Sequence, residues 1–178
     1  MKLLLTLCLL PLPLWAACPP APDREDERAA LHTNLLNAAD EREAQIIAGS
    51  LWEIWLTAPD AKAQELLDRG MSRREAFDFE ASEDALDALL AYCPRYPEAH
   101  NQRAFTRFMR QDFEGSLADI ETTLSLNPYH FGALSGRALI YMQQGRSTLV
   151  QQALRDALRV HPFLRERALL IEKPGEDI

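Results

Sequence analysis

Three arginines stand 34 residues apart: Arg69 in "LDRGM", Arg103 in "NQRAF" and Arg137 in "SGRAL". Each precedes a small residue, Gly70, Ala104 or Ala138. Stacked guanidiniums could make an anion site, or each could fork onto a carboxylate and hold two helices in register. The spacing favours the second role. Arg73, Arg107 and Arg110 extend the stripe by one helical turn, and the segment that follows supplies Asp112, Glu114, Asp119 and Glu121. The polarity is therefore internal to one unit. Arg103 or Arg137 on Asp119 is the expected structural ion pair, a contact that sets register more than it adds stability.

Other chemistry is sparse. His32, His100, His130 and His161 are scattered without metal-ligand spacing, and the last two lie beside prolines, as turn residues do. The sequence shows no phosphate loop, no nucleophile elbow and no recognised pairing of cysteine with histidine. Neither catalysis nor a metal or other cofactor is expected. "DREDE" from Asp23 reads as a solvated helix start, where acids suit the macrodipole. A formal net charge of −8 without a basic run argues against nucleic acid.

The opening "MKLLLTLCLLPLPLWAAC" has one early cation, Lys2, then an apolar run, then Ala16 and Ala17. That is the layout of a secretory signal, assigned to residues 1–17. The run is shorter than the roughly 20 apolar residues a membrane span needs, and Pro11 and Pro13 interrupt it. Cys18 leaves two routes open. "WAAC" resembles a bacterial lipobox, with Trp15 where Leu or Val is usual, and a lipidated Cys18 would tether the chain to a membrane facing the periplasm. Plain export to the periplasm would leave Cys18 and Cys93 able to form a disulfide in an oxidising compartment. With lipid on Cys18, Cys93 is a buried thiol.

The elements that position these residues come from an internal repeat. Written in register, the units are "AQELLDRGMSRREAFDFEASEDALDALLAYCPRY" (63–96), "PEAHNQRAFTRFMRQDFEGSLADIETTLSLNPYH" (97–130) and "FGALSGRALIYMQQGRSTLVQQALRDALRVHPFL" (131–164). Gly70, Ala104 and Ala138 share one column and Ser82 and Ser116 another, placing small side chains where two helices approach closely. Leu86, Ile120 and Leu154 lead an apolar stripe continued four residues on by Leu90, Leu124 and Leu158. Pro94, Pro128 and Pro162 close the units.

The length, the small-residue columns, the closing prolines and the stretches "AFDFEASEDAL", "QDFEGSLADI" and "QQGRSTLVQQAL" resemble the tetratricopeptide repeat over residues 63–164. The first unit matches least well. Across the array, Arg73 and Arg107 stand where the family usually has Tyr, as Tyr141 does, and Val150 replaces a small residue. Before the repeats, "REDERAALHTNLLNAAD" and "EREAQIIAGSLWEIWLTAP" form a helical hairpin, with Ile47, Leu51 and Trp55 on one face, widened by Trp52 and Ile54. It is expected to cap the first unit. After Pro162, "LRERALLI" is expected as a closing helix and "EKPGEDI" as a tail. The two-tryptophan hairpin followed by "NQRAF" and "HFGALSG" also resembles small exported repeat proteins of alphaproteobacteria, a likeness that implies no activity.

The resemblance implies an all-α, right-handed α-solenoid: tail and hairpin over 18–62, three helix pairs over 63–164, and a capping helix end and tail over 165–178. It also implies a concave groove lined by the first helices. Asn101, Phe105, Phe108 and Met109 fall on that face, with Leu67, Met71 and Arg74 on one side and Ser135, Leu139 and Met142 on the other. Aromatic and methionine side chains there suit a peptide or helix, while the same spacing would equally place Phe105 and Phe108 in a core. Some members hold a C-terminal carboxylate in a clamp of Lys, Asn and Arg. Here Leu67, Met71, Gln102, Gly132 and Gly136 occupy those places, so that specificity is not expected. The expected function is non-catalytic: an exported adaptor for a protein or peptide. The alternative is a self-associating envelope element, a homodimer formed through the groove or through Trp52 and Trp55.

Overall fold

A computed structural model describes residues 17–171. All but the last residue of the expected leader, and the tail from 172 onward, lie outside the described residues. Eight α-helices follow one another: α1 (Glu25–Leu36), α2 (Glu41–Leu56), α3 (Ala61–Glu75), α4 (Phe79–Tyr92), α5 (Pro97–Met109), α6 (Phe113–Leu126), α7 (Phe131–Gln143) and α8 (Ser147–Leu158). Among the described residues no helix is long and apolar enough to cross a membrane.

Four of these helices start where an acid can accept an orphan N–H group of the first turn. Asp40, Asp60, Asp78 and Asp112 each accept from the residue three places on, and Asp78 and Asp112 stand one repeat apart. Within each repeat the turn between helices uses a left-handed residue at the same register: Phe77 (φ 59), Gln111 (φ 64) and Gly145 (φ 68). Only the third unit fills that position with glycine.

The pairs α3·α4, α5·α6 and α7·α8 pack as antiparallel hairpins, and α4·α5 and α6·α7 stack one hairpin on the next. Close approach depends on the small columns. A Cβ on Gly70 would lie 2.6 Å from Leu86 Cγ. The serine column is more than small: Ser82 Oγ donates to the Gly70 carbonyl and Ser116 Oγ to the Ala104 carbonyl, each at 2.7 Å. Where the third unit has Val150, an apolar contact in the cluster of Ala138, Ala153 and Leu154 takes the place of that bond.

The N-terminal hairpin departs from the expected cap. Its end is fixed to the first repeat, where Tyr92 Oη donates to Asp60 (2.7 Å) and the Ala58 N–H donates to Gln64 Oε1 (2.9 Å). Its body lies farther along the array, with α2 against α5 and its side chains in a cluster of Leu35, Leu51, Trp55 and Phe131. Val160, Phe163 and Leu164, beyond α8, pack on that same cluster. The physical reason is the face of α2: Trp52 and Trp55 bury far more area on the aromatic ends of the later first helices than a single small-residue helix would offer. The closing helix is also smaller than expected, a 3₁₀ turn at Arg165–Leu169, with Leu170 packed on the third repeat.

A disulfide joins Cys18 to Cys93 across 75 residues. Cys93 is buried in the first repeat's core, and Cys18 packs against that core from the N-terminal segment.

Candidate functional site

The arginine stripe resolves into a network that spans two repeats. Arg103 grips Asp119 with two parallel bonds, Nε at 2.9 Å and Nη2 at 2.6 Å, and sends Nη1 to Asp87 of α4 at 2.6 Å. Arg107 links Asp119 (2.9 Å) to Glu83 of α4 (2.7 Å), and Arg110 also reaches Glu83. Burial works against the Asp119 charge, but His100, Arg103 and Arg107 together hold its carboxyl below the usual range. Burial likewise opposes the Arg103 charge, and its two carboxylates outweigh that and push the guanidinium upward. All the acceptors are occupied by the chain's own cations, so this stripe works as a strut.

Arg137 requires a correction, because it pairs with Asp156 at 3.1 Å and not with Asp119. In the third unit the column of Asp119 is filled by Ala153, and the available acid has moved one turn along α8. The expected confinement to one unit also fails, since Glu83 and Asp87 belong to the preceding repeat.

The face formed by α3, α5 and α7 contains an open pocket of about 310 Å³. Arg74, Asn101, Phe105, Phe108, Ser135 and Leu139 line it, joined by Trp52 from the hairpin. Phe105 is 48% exposed, and the Arg74 guanidinium lies 4.6 Å above its ring. Phe108 is divided: it lines the pocket and also packs on the core of Ala104, Ile120 and Ile140. Met109 and Met142 are exposed at the last turns of α5 and α7, beyond the pocket's lining. Met71 packs against the first repeat's core instead.

Beneath the pocket lies a polar network that sequence reasoning missed. Glu98, fully buried on α5, accepts from Asn101 Nδ2 (3.0 Å) and from Gln102 Nε2. Its other oxygen meets His130 Nε2 at 2.8 Å. His130 Nδ1 accepts from the Ala133 N–H (3.1 Å), so the ring proton is on Nε2 and is donated to Glu98. His130 is therefore an N-cap and a buried strut rather than a turn residue. The sole sequence signal was its place at the head of a first helix. Trp52 was also missed as a pocket wall. A Cβ on Gly132 would lie 2.6 Å from the Trp52 ring, so glycine at that position lets the indole close the end of the pocket.

Two hydrogen-bonding groups of the pocket remain unspent. Arg74 makes one long bond, Nη1 to the Gln102 carbonyl at 3.4 Å, and has no carboxylate within ion-pair distance among the described residues. Burial pulls its pKa below the usual arginine range, with Glu75 and Glu98 countering in part. Gln102 Oε1 is buried without a partner. Its amide orientation is fixed, because the acceptor-only Glu98 carboxylate demands the amide nitrogen.

Among the described residues no group of three or more His, Cys, Asp and Glu side chains could hold a metal ion. An apolar pocket with a cation at its rim can bind, orient and release a segment, and that is the chemistry its residues support.

Fold and repeat together define a tetratricopeptide-repeat solenoid. Over 132 residues the chain is 32% identical to a TPR repeat-containing protein of Rhizobium etli, a match that takes in 74% of this chain and 65% of that protein. The chain thus spans just under two thirds of that curated relative's length. No family model matches the sequence. Among solved structures the fold is similar to the first TPR of Spaghetti (RPAP3) bound to the HSP90 peptide SRMEEVD, with a TM-score of 0.58, 18% identity, and coverage of 61% of this chain and 86% of that one. The Sgt2 TPR domain of Aspergillus fumigatus gives 0.54 at 15% identity, covering 67% of this chain and 89% of that one. A MamA double mutant gives 0.52 at 14%, covering 80% and 78%. At these identities the likeness is one of fold.

Proposed function

We propose that this protein is an exported, non-catalytic adaptor that binds a segment of another protein in the groove of α3, α5 and α7. The observation that carries this reading is Phe105, a large aromatic side chain left 48% exposed at the rim of a preformed, largely apolar pocket. A fold relative that holds a peptide lends it support, within the limit that fold alone does not fix function. Export is supported by the leader-like opening and by the Cys18–Cys93 disulfide, a bond suited to an oxidising compartment. Lipidation and the disulfide are exclusive fates for Cys18, because both consume its sulfur. The disulfide favours export without a lipid tether, and the intact mass of the mature protein distinguishes the two.

Self-association through Trp52 and Trp55 loses its support, because both indoles are turned into the chain's own solenoid. The adaptor reading is tested with a photo-crosslinking amino acid at Phe105, and at the exposed Glu121 of α6 as control, in cells that export the protein. Adducts specific to position 105 are expected. Equal adducts at both positions, or adducts containing only a second copy of this chain, would remove the groove from the argument.

A further inference from the structure

The pocket carries information about what it binds. Its walls are mostly apolar, from Trp52, Phe105, Phe108, Leu139 and Ile140, yet its rim holds a half-buried cation that no carboxylate among the described residues meets at ion-pair distance. Elsewhere the half-buried arginines of α5 and α7, Arg103, Arg107 and Arg137, each meet a carboxylate on a neighbouring helix. Arg74 is in the same class by burial and has none. Beside it, Gln102 is 6% exposed and keeps an acceptor oxygen unpaired. A buried acceptor left unpaired is costly, and a partly desolvated guanidinium gains most from a charge-assisted bond. A carboxylate for Arg74 and an N–H for Gln102 would satisfy both.

The apolar surface also continues past the pocket. Met109 is 40% and Met142 41% exposed on the last turns of α5 and α7, the helices whose Phe105 and Leu139 line the cavity. A strip longer than the cavity suits a chain that passes through.

We propose that the occupant is an internal acidic and apolar segment of a partner protein: one apolar side chain seats against Trp52, Phe105 and Leu139, the next residue's carboxylate pairs with Arg74, and a backbone N–H meets Gln102 Oε1. This rests on the groove reading and specifies its partner.

Trp52 reports on the site, since it walls the pocket, and with Trp55→Phe as background its emission isolates the event. The probes are two capped peptides, acetyl-Ala-Leu-Phe-Asp-Leu-Ala-amide and its Asn counterpart, titrated into the oxidised mature protein. The aspartate peptide is expected to bind about tenfold more tightly. Arg74→Gln should erase that preference while keeping the weaker binding, Arg74→Lys should restore part of it, and Phe105→Ala should weaken both peptides. Arg74→Gln should leave the unfolding midpoint near wild type, because the residue makes one long hydrogen bond and stacks on a ring that is itself half exposed. Equal affinities for the two peptides, or a preference that survives Arg74→Gln, would overturn the carboxylate assignment. No response from either peptide up to millimolar concentration would overturn the proposal as a whole. Crosslinks confined to position 105 in that case would leave the groove reading standing with a partner of different chemistry.

Discussion

Trp55 lies almost flat on His130, with ring centroids 4.1 Å apart and an interplanar angle of 20°. The stack joins the second helix of the hairpin to the head of the third repeat, and the Tyr96 hydroxyl adds a bond of 2.6 Å to the Trp55 carbonyl. One residue, through its ring and its backbone carbonyl, thus fastens three parts of the chain. Replacing it with Ala should destabilise the protein by about 3 kcal/mol, the usual cost of removing a large buried ring, and loosen the hairpin. Urea unfolding of Trp55→Ala followed by far-UV circular dichroism checks the figure. A loss below about 1 kcal/mol would mean that the hairpin is not held there.

The two arginine pairs should behave differently. Asp119 is 3% exposed and serves both Arg103 and Arg107, so Asp119→Ala leaves two half-buried cations without their shared partner and should cost about 3 kcal/mol. Arg137→Ala breaks a more open pair and should cost no more than about 1 kcal/mol. Denaturant midpoints of both variants measured in parallel provide the comparison, and the order of the two effects matters more than either value.

The repeat is legible in the amino-acid sequence because spacing, small columns and closing prolines are local constraints that a helical hairpin imposes on its own residues. Asn101, Phe105, Phe108, Ser135 and Leu139 fall on one wall for the same reason. What could not be read depended on contacts between distant segments. Trp52 and Trp55 announce an apolar face without saying which surface covers it. Glu98 looks like an ordinary first-turn acid until His130, 32 residues on, is seen to meet it. Asp156 took Arg137 because Ala153 vacates the expected column, a substitution visible in the sequence whose effect depends on the geometry of α8.

Phe77 holds a left-handed backbone conformation that suits glycine, and its ring is 74% exposed, so little packing compensates. Phe77→Gly should raise stability by roughly 0.5–1 kcal/mol. The reverse change in the third repeat, Gly145→Phe, should lower it by a similar or larger amount. Thermal midpoints decide the matter, and a destabilised Phe77→Gly would show that the ring contributes packing that the exposed surface conceals.

His32 sits between the rings of Trp55 and Tyr129, at 6.2 and 5.3 Å, and neither ring nitrogen has a partner. Burial foremost, then Arg28 and His130, lowers its pKa from 6.5 to about 4. The unfolded chain therefore takes up this proton near pH 6.5, whereas the folded chain resists it until about pH 4. Stability from this residue is complete above pH 6.5, declines as pH falls between those values, and is flat below. Discounted for solvent screening of a half-buried ring, the loss is on the order of 1–2 kcal/mol. Urea midpoints at pH 7.5 and 4.5 should converge in His32→Phe relative to wild type. Parallel declines in both proteins would assign the effect to other groups.

Reduction of the Cys18–Cys93 bond frees a 75-residue span and should lower stability by about 2–4 kcal/mol, most of it through the unfolded state. Midpoints with and without reductant, compared with Cys93→Ser, test this. Insensitivity to reductant would mean that the bond fixes a segment already held by its packing.

The placement of the hairpin also changes how the molecule should come apart. An open row of repeats has free ends, and it frays and refolds from them, each unit sensing only its neighbours. Here residues before the first repeat and residues after α8 belong to one cluster around Phe131, so the row is buckled into a ring of contacts. Closing that ring needs segments from both ends of the described chain to meet. Folding should therefore be slower than in a linear array of equal size, and melting should occur in a single cooperative step, with no stage at which the last repeat lets go alone.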